Sequence, residues 1–406
     1  MKILIISQMI RSSPTGVSVH YKNLAEKLRL QGHHVDVLTI EDAPRTLHYA
    51  FAVYLRFLGL FGKVPRQIAW ESNLFMRLYL TMLLKKNRHY DIINAQDIVA
   101  GAAAKMAWKN KVPVLVTCHF NDDPATEMIR RENLSGVVAK SITKWFRFLF
   151  SKVNYLNGVS EYSIQKPRHL FPENALVEIV YNGIDFKKVR EEKEDIAFKN
   201  RYRDKKIVIN AGYLEKRKNQ VFIVEVAKTL KSSRPDILFV LLGDGQDRPL
   251  LEAKIAEYGL EEQVLLLGHQ QNIIPYLKCA DLYLHTALNE SFGLVIAEAI
   301  AAGIPARAFA VGGVPEVLIH EQSLIDITSS PEKVATIVLD AIDNRAQHME
   351  MEQQQYEYAF QNFDMSAMIA RYEELYTQVQ SDFTRKHSIA NKEKPKYSSP
   401  SNLKTV

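Results

Sequence analysis

The sequence predicts an α/β protein made of two Rossmann-like domains with parallel sheets. Three observations lead there. The chain has 406 residues, more than one hydrophobic core usually supports. Short, continuously apolar runs alternate with longer amphipathic ones, the pattern of parallel strands covered by helices on both faces. A charged stretch within Phe186–Asp204, containing KKVREEKED, separates two series of such runs.

The first series begins with a strand over Lys2–Ser7, an amphipathic helix over Val17–Gln31 ended by Gly32, and a strand over Val35–Ile40. Further strands are expected at Asp91–Ala95, Pro113–Cys118 and Tyr155–Val159. The second series comprises Lys206–Ala211, Ile237–Leu242, Gln263–Leu267, Asp281–His285 and Ile304–Phe309. A boundary near Asp185 gives domains of residues 1–185 and 186–362, each about the size of one Rossmann-like unit. Phe363–Val379 has helical spacing, with Met368, Tyr372, Leu375 and Tyr376 apolar. From Ser381 to Val406 the chain is polar and is expected to be disordered, because it buries too little apolar surface to offset its ordering entropy.

Composition narrows the function. The chain is 47% hydrophobic and 24% charged, which describes a soluble globular protein. A net charge of +6 suits anionic ligands or an anionic membrane face, and no nucleic-acid-binding module is visible. Cys118 and Cys279 are far apart and form no C-x-x-C pair, which argues against a disulfide scaffold or a cysteine metal site and for a reduced, cytoplasmic setting. The apolar run of the N-terminus stops at Gln8 without a cleavage site, and no stretch reaches the roughly 20 apolar residues of a spanning helix.

The chemistry concentrates in Ala280–Leu318, ADLYLHTALNESFGLVIAEAIAAGIPARAFAVGGVPEVL. A strand ends in the turn Thr286–Asn289. Glu290 and Ser291 then precede a helix expected over Phe292–Ala302, and a Gly312-Gly313 turn follows the next strand. In an open parallel sheet, ligands bind beyond the carboxyl ends of the strands, where Glu290 and this turn both fall. Amides at the start of the helix suit a phosphate or sugar hydroxyl, and Gly293 permits close approach. Glu298 lies eight residues after Glu290. On one continuous helix that is about two turns, so both carboxylates would grip one extended ligand.

This ordered pattern resembles the E-x7-E signature of the retaining GT-B glycosyltransferases called family 4, and the resemblance runs from residue 2 to about 379. It implies two facing Rossmann-like lobes, a C-terminal helix crossing back to the first lobe, and a nucleotide-sugar donor on the second lobe. It also implies no metal and no further cofactor. By resemblance, Glu290 contacts the transferred sugar and Glu298 the ribose, and the amides of Phe292, Gly293 and Leu294 hold sugar hydroxyls or phosphate. Gly16, in the turn Pro14–Gly16, would lie near the donor phosphates, although Thr15 replaces the family's first glycine. His119 would face the donor sugar. Lys218 matches the family's diphosphate-binding lysine, whereas Tyr213 occupies the usual arginine position, leaving Lys216 or Arg217 to supply that charge. Backbone at Gly268 and His269 would contact the base.

The implied reaction is glycosyl transfer, with retention, from a UDP- or GDP-sugar to a hydroxyl of a glycan or lipid-linked acceptor. An epimerase or hydrolase on the same architecture, or a silent sugar-nucleotide-binding protein, shares the pattern. Two basic, aromatic stretches of the first lobe, Leu47–Lys86 and Lys140–Tyr155, suit a peripheral contact with an anionic membrane.

Overall fold

In a computed structural model, the chain forms two six-stranded parallel sheets, each covered by helices. The structure describes residues 1–11, 13, 15–85 and 88–392, with backbone alone at 63–65, 67–69, 71 and 389–392. Pro14, Lys86 and residues 393–406 of the expected tail lie outside the described residues.

The first sheet contains β1 (Lys2–Ser7), β2 (His34–Thr39), β3 (Ile92–Ala95), β4 (Val114–Cys118), β5 (Tyr155–Gly158) and β6 (Leu176–Ile179), in the order β2-β1-β3-β4-β5-β6. The second contains β7 (Lys206–Ala211), β8 (Ile237–Leu242), β9 (Val264–Gly268), β10 (Leu282–His285), β11 (Ala306–Phe309) and β12 (Leu324–Ile325), in the order β12-β11-β10-β7-β8-β9. The central strands are buried on both faces, which is why their sequences are continuously apolar. Two strands escaped the sequence reading. Residues of β6 are only half-buried, and β12 is two residues long. The expected strand starts at Asp281 and Ile304 belong to the preceding turns. The Asp281 carboxylate takes the Ile207 amide at 2.8 Å, and the Ile304 amide closes a helix end on the Ala299 carbonyl at 2.9 Å.

Each strand order reverses direction once, between β1 and β3 in the first sheet and between β7 and β10 in the second. Beyond the carboxyl ends of such strands lies a crevice where ligands bind. The loops that follow β1, β4, β7 and β10 carry Gly16, His119, Lys218 and Glu290.

The lobes are joined twice. The chain leaves the first sheet after β6 and returns through residues 363–365, and the two crossings bond to each other. The Ile184 amide donates to the Phe363 carbonyl at 2.7 Å, and the Met365 amide to the Ile184 carbonyl at 2.9 Å. The helix Met365–Lys392 then packs Met368, Tyr372, Leu375, Tyr376 and Val379 against Ile3, Ile5, Leu24 and Leu28 of the first lobe. It does not end near Val379. Residues 381–392, expected as the start of a disordered tail, continue the helix. Asp382 accepts a hydrogen bond from the Tyr155 hydroxyl at 2.9 Å and pairs with Arg385 and Lys386 at 2.7 Å each, and Phe383 packs on the same core. One aromatic residue and one carboxylate anchor three turns whose composition otherwise reads as polar.

Candidate active site

Two loops of the second lobe are stitched together at its switch point. The Leu288 amide donates to the Arg217 carbonyl at 2.8 Å, and the Thr286 hydroxyl to the Asn219 carbonyl at 3.1 Å. Asn219 takes a left-handed conformation (φ 55°), which turns the chain into the next helix and leaves Lys218 pointing at the crevice. The Lys218 ammonium meets Glu290 Oε2 at 2.5 Å. Arg217 approaches the same oxygen at 3.9 Å while bonded to Glu215 at 2.8 Å and to the Asn289 carbonyl at 3.0 Å. His285 Nε2 stands 3.5 Å away and is oriented by the Tyr283 hydroxyl at its other ring nitrogen, 3.0 Å.

Burial alone would push the Glu290 carboxyl up. The charge of Lys218 and the contacts with His285 outweigh it and hold the group well below the usual carboxylate range. Burial, partly offset by Glu290, keeps His285 low and neutral. The site therefore presents an ionised carboxylate fixed by two cations and a neutral imidazole.

Glu290 precedes the helix that carries Glu298, as the sequence reading has it, but that helix starts two residues later than the expected Phe292, so the two carboxylates are not on one continuous helix. Gly293 adopts φ 97° and breaks the chain, so the helix begins at Leu294 and runs to Ala301. Glu290 sits in the loop, and Glu298 lies one turn into the helix. The break has a functional consequence: the amides of Phe292, Gly293 and Leu294 find no acceptor among the described residues. The Phe292 ring is buried against Tyr181 and Phe363, fixing this loop from below. Burial pushes the Glu298 carboxyl up to about 7, and it has no hydrogen-bond partner among the described residues.

The Gly312-Gly313 turn clamps the loop from the other side. Gly312 has φ 58°, and a Cβ there would lie 1.9 Å from the Glu290 carbonyl oxygen. The Gly313 amide holds that same oxygen at 2.9 Å. Gly312→Ala is therefore expected to cost at least roughly 1–3 kcal/mol of stability and to displace Glu290. Thermal unfolding together with a transfer assay checks this; a variant as stable and as active as wild type would contradict the clamp.

On the first lobe, Gly16 opens the helix Gly16–Leu30 and faces Leu294 across the crevice, where an added Cβ would come within 3.3 Å. The amides of Gly16 and Val17 find no acceptor among the described residues. His119 follows β4, its Nε2 3.2 Å from the Gln96 side-chain oxygen and its ring edge-to-face with His20 at 5.0 Å. His20 in turn contacts the Tyr372 hydroxyl of the returning helix at 3.2 Å. Burial, and for His119 also the neighbouring His20, pushes both imidazoles down, His20 to about 4. Both are neutral near pH 7.

The lobes touch around the crevice. The Ser160 hydroxyl donates to the Ser291 carbonyl at 2.5 Å. Glu316 accepts from the amides of Glu161 and Tyr162 at 2.7 and 2.9 Å. The Tyr162 hydroxyl reaches the Asn121 carbonyl at 2.8 Å and the Asn289 side chain at 3.3 Å.

The structure thus gathers Lys218, Arg217, Glu290 and the 292–294 amides at one point, with Gly16 opposite. Gly268 ends β9 with φ 76°, its carbonyl bonded to the Gly243 amide, and His269 is exposed at that rim. Tyr213 is half-exposed and offers no charge. Sequence reasoning missed His285, Gln96, His20 and the Glu316 clasp. The alternation of β10 could have found His285; the others are set by tertiary contacts across more than 20 residues or between lobes.

Comparison with known proteins agrees with the two-lobed fold. A model of the family "Glycosyltransferase Family 4" matches residues 14–188, and one of "Glycosyl transferases group 1" matches residues 191–361. The N-acetyl-alpha-D-glucosaminyl L-malate synthase of Bacillus anthracis is 25% identical over 377 residues, covering 90% of this chain and 95% of that one. The alpha-monoglucosyldiacylglycerol synthase of Acholeplasma laidlawii is 23% identical, over 84% and 92% of the two chains. The crystal structure of Anabaena HepE in complex with UDP and glucose has the same fold, with a TM-score of 0.68, 21% identity and coverage of 93% and 99%. This chain is a nucleotide-sugar-dependent glycosyltransferase of GT-B fold, related to the group 1 and family 4 glycosyltransferases.

Proposed function

We propose that the crevice transfers a glycosyl unit from a nucleoside diphosphate sugar, UDP- or GDP-linked, to a hydroxyl of a glycan or lipid-linked acceptor, with retention and without a metal ion. The observation that carries this reading is the convergence of Lys218 and Arg217 on Glu290, beside three amides without acceptors.

The leaving diphosphate gains charge as the glycosidic bond breaks. Lys218, Arg217 and the amides at Gly16 and at 292–294 are preorganised donors for that charge, and such groups work best in a site from which water is excluded. Arg217, not the exposed Lys216, takes the part left open by Tyr213: its guanidinium already lies within 3.9 Å of the Glu290 carboxylate. Glu290, held ionised, accepts hydrogen bonds from sugar hydroxyls. Glu298 receives the ribose diol, and backbone at Gly268 and His269 receives the base. His119, neutral, faces the sugar from the first lobe. With Glu290 committed to its cations and His119 neutral but enclosed, the departing phosphate oxygen is the base nearest the acceptor proton.

The acceptor is read by the first lobe. A lipid-borne acceptor is favoured by the diacylglycerol named for one relative and by the apolar surface described below. That reading places the enzyme at the cytoplasmic face of a membrane as a peripheral protein, and among the described residues no helix is long and apolar enough to cross one.

The test is thermal shift with a panel of UDP- and GDP-sugars, followed by product analysis. A nucleotide-sugar ligand at 100-fold its Kd should stabilise the fold by about 2.7 kcal/mol, and labelled sugar should appear on an acceptor. Release of free sugar or epimerised donor alone would show a different reaction.

A further inference from the structure

The first lobe carries an apolar surface that none of the described residues covers. Between β2 and β3 two helices, Arg45–Gly59 and Lys63–Leu84, form an antiparallel hairpin. Its base is anchored: Phe75, Leu78 and Met82 are buried in the first lobe's core. Its tip is not. Leu60 is 82% exposed, Tyr49 74%, Val53 68%, Phe61 65%, Phe57 56% and Trp70 44%. Tyr49, Val53, Phe57 and Leu60 recur at helical spacing and so share one face. An isolated exposed leucine needs no explanation; a contiguous apolar face does.

Charge indicates what covers it. From Ala43 to Trp70 the sequence has four cations, Arg45, Arg56, Lys63 and Arg66, and no acidic residue. The neighbouring helix Gly136–Phe150 packs Trp145 against Phe75 at 5.4 Å. It adds exposed Lys140, Lys144 and Arg147 on one face, again with no acid in the helix. A two-fold contact with a second copy would set these cations against themselves. An anionic lipid surface matches both the apolar face and its basic surround.

Position supplies the third argument. The first helix leaves β2 at the carboxyl edge of the sheet through Ile40–Asp42, and the second returns to β3 at the opposite edge. Some twelve residues separate Lys63 from the first buried apolar anchor, Phe75, about 18 Å of helix. The uncovered tip therefore stands at the edge that also bears Gly16 and His119.

We propose that the tip, with Phe57, Leu60, Phe61 and Trp70, inserts into the headgroup region of an anionic bilayer and holds the catalytic crevice over it, so that the acceptor hydroxyl is one presented at the lipid surface. The docking itself is independent of the transfer chemistry; only the lipid-borne acceptor rests on the reading given above.

The experiment is co-sedimentation of the full chain with vesicles of phosphatidylglycerol and phosphatidylcholine, and with phosphatidylcholine alone. Fluorescence of the half-exposed Trp70 is followed in parallel. Binding to the anionic vesicles, weakened by salt and accompanied by a blue shift, is expected. Leu60→Ser/Phe61→Ser should weaken it at least tenfold, and Lys140→Gln/Lys144→Gln/Arg147→Gln should weaken it on anionic vesicles. Both variants should keep the wild-type thermal shift with donor, which shows that they fold and that the donor site is intact. No binding to anionic vesicles, equal binding by the tip variant, or a concentration-dependent dimer that shields Trp70 would overturn the proposal. Vesicle binding without sugar transfer would instead sink the transfer reading alone.

Discussion

Lys218→Met is expected to lower turnover by roughly 10²–10³-fold, the usual loss when one preorganised donor to a developing anion is removed. The Lys218 side chain is 15% exposed and that of Glu290 12%, so the pair is largely withdrawn from water. Removing one member of such a pair typically costs about 3–5 kcal/mol, because the remaining charge is stranded. Here the stranded group is Glu290, and Arg217 at 3.9 Å and His285 at 3.5 Å remain beside it. The stability loss should therefore fall at the lower end of that range. Glu290→Gln is the informative counterpart. It keeps the shape, relieves Lys218 of its partner in the donor-free enzyme and removes the charge proposed to receive the sugar hydroxyls. Turnover should drop by a similar factor while binding of the nucleoside diphosphate alone is retained or improved, since Lys218 is then free for phosphate. Steady-state kinetics and nucleotide titrations on both folded variants check this. If both turn over within threefold of wild type, the site lies elsewhere.

The fold was legible because its information is local. Continuous apolar strands such as Ile237–Leu242 announce a sheet buried on both faces, and Gly303 marks a helix end within a residue of the observed one. The candidate site was legible where it is a linear motif: Glu290, the 292–294 amides and the Gly312-Gly313 turn belong to one segment. What eluded the sequence is pairing. That Lys218 lies against Glu290 follows from the order β10-β7-β8, which sets two loops 72 residues apart side by side. That His119 rests on His20, and His20 on Tyr372, follows from a helix returning from the far end of the chain. Gly293 was recognised as permitting close approach, but its left-handed φ, which separates the two glutamates, was not, because glycine tolerates many conformations and dictates none. Residues 381–392 were misread for a related reason: Asp382 and Phe383 look like tail until the Tyr155 and Leu176 neighbourhood they pack into is known.

Glu298 leads to the second large effect, and there stability and function move in opposite directions. Burial raises its carboxyl to about 7 from an ordinary 4.5. Between those values the folded protein holds a proton that the unfolded chain has lost, so stability declines as pH rises through this window, by at most about 3 kcal/mol. Glu298→Gln escapes that penalty and should melt higher than wild type at pH 8. With Glu298 as the proposed ribose ligand, donor binding runs the other way. A ribose diol donates hydrogen bonds, so it favours the ionised carboxylate and must expel the proton below pH 7. Affinity for an intact nucleotide sugar should climb about tenfold per pH unit up to roughly 7 and then level off. The intact donor is the right probe, since its diphosphate is a diester and does not titrate here, unlike a terminal phosphate with its second pKa near 6. Calorimetry in buffers of different ionisation enthalpy should register about one proton released per donor bound at pH 6. In Glu298→Gln the slope should vanish and affinity at pH 8 should fall by at least tenfold, about 1.4 kcal/mol. A pH-independent affinity in wild type, or an unchanged slope in the variant, would remove Glu298 from the donor site; a variant that melts higher yet binds less well fits a carboxylate kept in an apolar setting for its ligand and not for the fold.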